Sequence, residues 1–289
     1  MIKVKVPATT ANLCIGYDCL GMALDWWSTF TFEQSTQLRI TGCDPRFQTK
    51  DNLVLRAFYT TCEYLQKEKP VFHLDIQTDI PNSRGFGSSA MCIVAGIVGC
   101  DAWFHAGLNR IEMLEIATGI EGHPDNVGPA IFGQALTAFI ENEQTSAMVI
   151  PCADWTVLAM IPDYEIPTKQ ARKVLPKSLP HGHAVKQVAH ALGFVQALQV
   201  GNEKVLVASC QDYLHEPYRQ KLLPEYDKVR PFCQKNEIAH WISGSGSAMV
   251  FMSMEKKKLE ALKEYIEKEL QVSCRSMQIA RKGAYAKYE

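Results

Sequence analysis

The 289-residue sequence carries no excess of either charge: 30 Lys and Arg stand against 31 Asp and Glu, a formal net charge of −1. It therefore lacks the basic footprint that nucleic acid or an anionic membrane surface demands, and neither partner is expected. None of the ten cysteines forms a Cys-x-x-Cys pair; Cys14, Cys19, Cys43, Cys62, Cys92, Cys100, Cys152, Cys210, Cys233 and Cys274 are scattered, several inside apolar runs. That argues against a zinc or redox motif and for small core residues in a reducing compartment. No run approaches about 18 uncharged apolar residues, so no membrane-spanning helix is expected. The opening Met1-Ile-Lys-Val-Lys-Val-Pro7 reads as a strand start without the apolar core of a secretory leader, and the expected location is the cytoplasm. Internal repeats and low-complexity tracts are missing too. So are two familiar nucleotide signatures. No Lys follows the glycines at 85 and 87 as a Walker A loop requires, and no Gly-x-Gly-x-x-Gly dinucleotide fingerprint occurs there.

What the chain does have is Ile80-Pro-Asn-Ser-Arg-Gly-Phe-Gly-Ser-Ser-Ala90. The run before it, Phe72-His-Leu-Asp-Ile-Gln-Thr-Asp-Ile80, alternates apolar and polar residues as a half-buried strand does. The run after it, Ala90 to Phe104, is apolar and long enough for a buried helix. The glycines and serines thus fall at a strand-to-helix turn. Unpaired N–H groups and the helix dipole there favour an anion, and glycine lets the backbone approach it closely. Two readings stand at this level: a phosphate cradle, or an ordinary turn with Ser88 or Ser89 as helix cap.

The length predicts two domains. Strands are expected at Ile2–Val6, Gly21–Glu33, Gln37–Thr41 and 72–80, and a helix capped by Asp51 or Asn52 through Gln66. A helix over Asn109–Thr118 precedes a turn-rich segment, 119–129; strands follow near 133–141, 147–151 and 155–161. Prolines cluster at 162, 167, 176 and 180, which places a boundary between domains 1–155 and 156–289. Beyond it, helices are expected at 183–200, 204–212, 222–236 and 256–270, with a glycine-serine turn leading into a strand within 241–252. This irregular alternation fits an α+β class.

Several polar groups stand in unusual settings. Ser88 or Ser89 can offer a hydroxyl to a hard metal ion, and Glu112 or Glu115, three apart on a helix, a carboxylate. His123-Pro-Asp125-Asn126 places an imidazole, a carboxylate and an amide in one turn. Asn12 and Asp18 lie in a small, mildly apolar stretch between Pro7 and Gly21 and need partners. Arg172 and Arg219 carry the group suited to gripping a carboxylate.

The order of these motifs resembles the GHMP small-molecule kinases. The resemblance rests on Pro7-Ala-Thr-Thr-Ala-Asn-Leu13, on Pro81 through Ala90, and on Ile242-Ser-Gly-Ser-Gly-Ser247. Within that superfamily the chain is similar to the homoserine kinase family. The features are Ala11 through Gly21, Glu121-Gly-His-Pro-Asp-Asn-Val-Gly-Pro-Ala-Ile-Phe-Gly133, Thr168 through Pro176 and Leu214-His-Glu-Pro-Tyr-Arg219. The resemblance covers about residues 3–252. It implies a two-domain α+β fold. The N-terminal domain would be like ribosomal protein S5 domain 2 and the C-terminal domain ferredoxin-like. It further implies ATP-dependent phosphorylation of the L-homoserine hydroxyl in threonine biosynthesis, with homodimer formation left open. Pro81, Asn82, Ser83, Arg84, Gly85, Phe86, Gly87, Ser88, Ser89 and Ala90 would wrap the ATP phosphates, and Asn52 would adjoin the adenine. Ser89 (or Ser88) and Glu115 would hold Mg²⁺. Arg172 and Arg219 would take the substrate carboxylate and Asp18 its ammonium, while Asn12, His123, Asp125, Asn126 and Thr168 would complete the substrate site. Asp125 stands nearest to the aspartate base of some relatives. With Asp18 committed to the ammonium, Asp125 and Asn126 are expected chiefly to orient the hydroxyl.

Overall fold

The computed structural model describes residues 1–142 and 144–289. The chain runs β1 (Ile2–Ala11), β2 (Leu20–Gln34), β3 (Arg39–Thr41), α1 (Leu53–Tyr64), β4 (Phe72–Gln77), α2 (Ser88–Phe104), α3 (Arg110–Glu121), α4 (Pro124–Phe132), β5 (Ala135–Glu141), β6 (Gln144–Ile150), β7 (Thr156–Ile161), α5 (Thr168–Lys173), α6 (His181–Val200), α7 (Glu203–Ser209), α8 (Glu216–Arg219), α9 (Tyr226–Lys235), β8 (Ala239–Ile242), β9 (Met249–Ser253), α10 (Lys256–Tyr265), β10 (Ser273–Gln278) and β11 (Tyr285–Tyr288). Mixed sheets and helices confirm the α+β class.

In the first sheet the order is β11-β1-β2-β4-β3, with the β5–β6 hairpin joined to the other end of β2. Among the described residues only β3 and β4 run parallel. Helix α2 is apolar nearly all round, because it packs between this sheet and α1, α3 and α4 and has no wet face. The aromatic side chains of Phe32, Phe58 and Phe72 meet in that layer, with Phe58 and Phe72 ring centroids 4.7 Å apart. The second sheet has the order β10-β7-β9-β8, all antiparallel. Numbered from β7, that is 4-1-3-2 with helices between the first and second and between the third and fourth strands, the ferredoxin-like arrangement.

Two sequence expectations need correction. Residues 119–129 are not a turn: α4 spans most of that segment and continues to Phe132. Pro124 sits in the first turn, where its missing N–H costs nothing. Pro129 denies the Asp125 carbonyl its helical donor. That carbonyl instead lies against Gly21 of β2, where a Cβ would come within 1.7 Å of it. The domain division also differs. The second sheet takes its first strand at β7, but the chain returns to the first sheet after β10: Leu24 bridges Ile279 and β11 pairs with β1. The last ten or so residues therefore complete the first sheet instead of the second domain.

Candidate active site

Where β1 ends, Asn12, Leu13 and Cys14 all take left-handed backbone angles, and the chain doubles back to β2. This knuckle, the start of α2, the α3–α4 junction, the 162–172 connector and the 243–247 loop converge on one cavity of about 310 Å³. Its wall includes Asn12, Asp18, Gly87, Ser88, Ser89, His123, Asp125, Asn126, Thr168, Arg172 and Arg219. Positions scattered over more than two hundred residues are thereby brought together.

In the glycine loop neither Ser88 nor Ser89 serves as the helix cap. Helix α2 is capped by Gly87, at φ 68°, with no side-chain cap hydrogen bond. Its first N–H groups are left for something else. The hydroxyl of Ser88 is buried and, among the described residues, has no hydrogen-bond partner. A Cβ on Gly87 would meet Thr9 Oγ1 at 2.0 Å, and one on Gly85 would meet the Ser243 carbonyl at 2.1 Å. Only glycine permits this close, left-handed turn. Not every loop residue faces the cavity, however. Arg84 turns away to donate to the Pro162 carbonyl and pair with Asp163 and Glu165. Phe86 is fully buried against Trp26, and Ala90 is core. These three side chains brace the loop and do not line the cavity.

A second cavity, about 470 Å³, adjoins the first and shares Ser83, Ser88 and Ser89 with it. Phe30, Phe47, Leu53, Ile76, Ile80, Pro81, Met91 and Cys92 give it a largely apolar lining, with Asp44, Asp79 and Asn82 among the polar residues of its wall. Asn52 is in its wall, but its amide is spent locally, accepting from Val54 N and donating to the Phe47 carbonyl. Its part is to hold Phe47 and the start of α1 in place.

The acid expected beside Ser89 is a different residue. Glu115 is exposed on α3 and lines neither of these two cavities. Glu121, six residues on and about 240° around the helix axis, accepts a hydrogen bond from Ser89 Oγ at 2.7 Å. Glu112 is consumed by a capping box with Asn109. The signal for Glu121 was its place immediately before Gly-His-Pro-Asp: Gly122, at φ 92°, reverses the chain there and turns the end of α3 into the site.

His123 and Asp125 form a tight pair, Nδ1 to Oδ1 2.5 Å. Asp125 is 2% exposed. The hydrogen bond that His123 donates to Asp125 raises the His123 pKa above its ordinary value, and burial only partly opposes it. Asn126 Oδ1 accepts the Thr9 hydroxyl at 2.8 Å, a contact sequence reading did not anticipate. Asn12 is engaged at both ends of its amide, donating to the Gly244 carbonyl and accepting from Asp18 N.

The charged end of the cavity is asymmetric. Arg172 grips Asp18 with both nitrogens, at 2.8 and 3.0 Å, and touches the Tyr17 hydroxyl at 2.9 Å. Arg219 is 2% exposed. It donates to the Gly244 and Ala171 carbonyls and lies over the Tyr17 ring at 4.9 Å. Among the described residues it has no carboxylate partner, and burial lowers its pKa. A buried, uncompensated cation is costly unless an anion arrives. Thr168 stands exposed at the rim.

Comparison with known proteins gives this geometry a family. Residues 52–134 match the model of the GHMP kinases N terminal domain. A homoserine kinase of Crocosphaera subtropica is 36% identical over 298 residues, 98% of this chain and 96% of that protein. One from Clostridium botulinum is 34% identical over 261 residues, 89% of this chain and 88% of its own length. The chain belongs to the homoserine kinase family. A solved homoserine kinase from Cytophaga hutchinsonii superposes with a TM-score of 0.88 at 25% identity, covering 99% of this chain and 97% of that one. The two-domain GHMP kinase fold is thus shared along the whole length, and family membership implies ATP as co-substrate. Among the described residues no helix is long and apolar enough to cross a membrane.

Proposed function

We infer that the protein transfers the terminal phosphoryl group of ATP to the side-chain hydroxyl of L-homoserine. The observation that carries this reading beyond a generic GHMP kinase is the charged end of the cavity. Asp18 offers an anion, Arg219 a buried cation without an acid, and Arg172 a second cation within reach of both. An α-amino acid presents the matching ammonium and carboxylate.

The residues present also fit Mg²⁺-ATP. The orphaned Ser88 hydroxyl, the uncapped start of α2 and the Ser89–Glu121 oxygen pair form a hard, anion-receptive donor set. In this reading Ser89 and Glu121 hold the metal, and Ser83, Gly85, Gly87 and Ser88 receive the phosphates; the adenine takes the adjoining apolar cavity. The bound ion neutralises phosphate charge during transfer.

Phosphoryl transfer of this kind depends mostly on positioning. Asp125 fixes the His123 ring through Nδ1, leaving Nε2 for the substrate hydroxyl. Thr9 fixes Asn126 through Oδ1, leaving its N–H₂ for the same region. Asp125 is therefore an orienting group, and its hydrogen bond to His123 leaves it poorly placed to take a proton from substrate. Arg219 and Arg172 hold the carboxylate, Asp18 the ammonium, and Asn12 braces the loop that carries Asp18.

The test is ADP release with ATP and Mg²⁺ against L-homoserine, L-serine, mevalonate and shikimate. Turnover with homoserine at a kcat/KM well above the others is expected. Folded protein that binds ATP yet does not phosphorylate homoserine would overturn the reading.

A further inference from the structure

Three fully buried polar side chains have no task in the transfer itself: Thr10, Trp241 and Ser243. They form one chain of hydrogen bonds. Trp241 Nε1 is 3.0 Å from Thr10 Oγ1, Thr10 Oγ1 is 2.9 Å from Ser243 Oγ, and Ser243 Oγ is 2.6 Å from the Gly85 carbonyl. Its direction is forced. An indole N–H can only donate, a carbonyl can only accept, and each hydroxyl has a single proton. So Trp241 donates to Thr10, Thr10 to Ser243, and Ser243 to Gly85. Each hydroxyl in the chain is used once as donor and once as acceptor, and burial offers no water as a substitute.

The next residue along serves the other substrate. The Gly244 carbonyl accepts from Asn12 Nδ2 and from Arg219 Nη1, both at 3.0 Å. Residue 243 thus anchors the nucleotide loop and residue 244 anchors the amino-acid end of the site. The two cannot move independently. Ser243 N is bonded to the Ala248 carbonyl, Gly244 N to the Ala11 carbonyl, and Ala248 N to the Arg84 carbonyl. The 2.1 Å approach to Ser243 O that a Cβ at Gly85 would make shows that the two loops touch backbone to backbone without slack.

We propose that Thr10 and Ser243 are positioning residues that couple the two half-sites, so that nucleotide in the glycine loop sets the Gly244 carbonyl and, through it, Asn12 and Arg219 for homoserine. This rests on the homoserine kinase reading. Coupling between binding sites is reciprocal by thermodynamic necessity, which supplies an internal check.

Calorimetric titration of the full-length protein tests it. L-Homoserine is titrated with and without a non-hydrolysable ATP analogue plus Mg²⁺, and the analogue with and without homoserine. In the wild type each ligand is expected to tighten the other by one common factor, roughly 5- to 150-fold. Thr10→Val keeps the shape and removes the hydroxyl; the factor is expected to fall to within about twofold of unity. Thr10→Ser is expected to restore it. Ser243→Ala provides a second break should Thr10→Val not fold. A residue with a merely structural role would weaken both ligands and leave the factor intact. A wild-type factor near unity, or a wild-type factor retained in folded Thr10→Val or Ser243→Ala, overturns the proposal. No homoserine binding with or without nucleotide overturns the substrate reading and this proposal with it, whereas binding without mutual enhancement overturns this proposal alone.

Discussion

The two arginines of the amino-acid end are not equivalent, and their removal should separate them. Arg172 is already matched by Asp18 in a partly exposed pair, whose side chains retain 40% and 31% of their accessibility. Arg219 is buried and, among the described residues, is contacted by only two backbone carbonyls and the Tyr17 ring. Summing the charges, Asp18, Arg172 and Arg219 give +1, and a substrate carboxylate is the group that balances it. Removing Arg172 leaves Asp18 and Arg219, still a cation and an anion for a zwitterion. Removing Arg219 leaves Asp18 and Arg172 satisfied by each other, and a carboxylate must then break that pair to be held. An exposed ion pair is worth about 0.2–1 kcal/mol, whereas truncating one partner of a buried charge pair costs roughly 2–5 kcal/mol. At about 1.4 kcal/mol per factor of ten, Arg219→Ala should raise the KM for homoserine by roughly 30-fold to several thousandfold. Arg172→Ala should raise it by about tenfold or less. The KM for ATP should stay within about threefold for both, because both side chains lie at the amino-acid end of the first cavity and neither lines the second cavity, the one assigned to the adenine. Arg219→Lys keeps the charge but loses the fork, and should fall between. Initial-rate kinetics with homoserine and ATP varied in turn supply the assay, with thermal melts to confirm folding. An Arg172→Ala defect larger than that of Arg219→Ala would refute the electrostatic argument. So would equal effects on both substrates.

Two further outcomes follow from the geometry. Glu121→Gln should lower kcat by two or more orders of magnitude, on the order of what loss of one charge-stabilising group costs a catalytic site, and raise the Mg²⁺ concentration needed for activity; Glu115→Gln should change neither, and a Mg²⁺ titration of both variants decides. The Glu216 carboxyl is fully buried, and that burial pushes its pKa up to about 8, with Ile242 N donating to it at 2.6 Å. Between the unfolded value of 4.5 and 8 the folded protein holds a proton that the unfolded chain has lost. Stability should therefore be highest below that window and fall as pH rises through it. Glu216→Gln removes the liability, so its melting temperature should match the wild type near pH 4.5 and pull ahead toward pH 8, by the equivalent of a few kcal/mol. A difference that stays flat across the window would count against a protonated Glu216.

What could be read from sequence was what sits close together along the chain. The strand, glycine turn and apolar helix around residues 72–104 are local, and their order alone put the glycine turn at the start of α2. The pattern of motifs likewise gathered Asn12, Asp18, His123, Asn126, Arg172 and Arg219. What escaped was orientation. Glu115 sits amid buried Met113, Leu114, Ile116 and Ala117, so its neighbours suggested an inward carboxylate, but the helical turn sends Glu115 outward and brings Glu121 to Ser89. Arg84 and Phe86 share the loop with Gly85 and Gly87, yet turn to the connector and the core. Helix α4 was hidden by Pro124, Gly128 and Pro129, which read as breakers although the first is a good helix opener and the last releases a carbonyl toward Gly21. The self-pairing of Asp18 with Arg172 joins residues 154 apart, and nothing local announces it.

The return of β11 to β1 has a consequence for how the molecule is made. Met1 and Glu289, 288 positions apart, exchange backbone hydrogen bonds in both directions. Until the distal strand exists, the outer rim of β1 presents open donors and acceptors to whatever is near, including other nascent copies. The segment that ends in Asn12 is thus synthesised long before β11 and is among the last to be sealed. Ribosomal pauses or truncations before β11 would leave the same sticky border, and a holdase chaperone would be expected to engage the unfinished chain there.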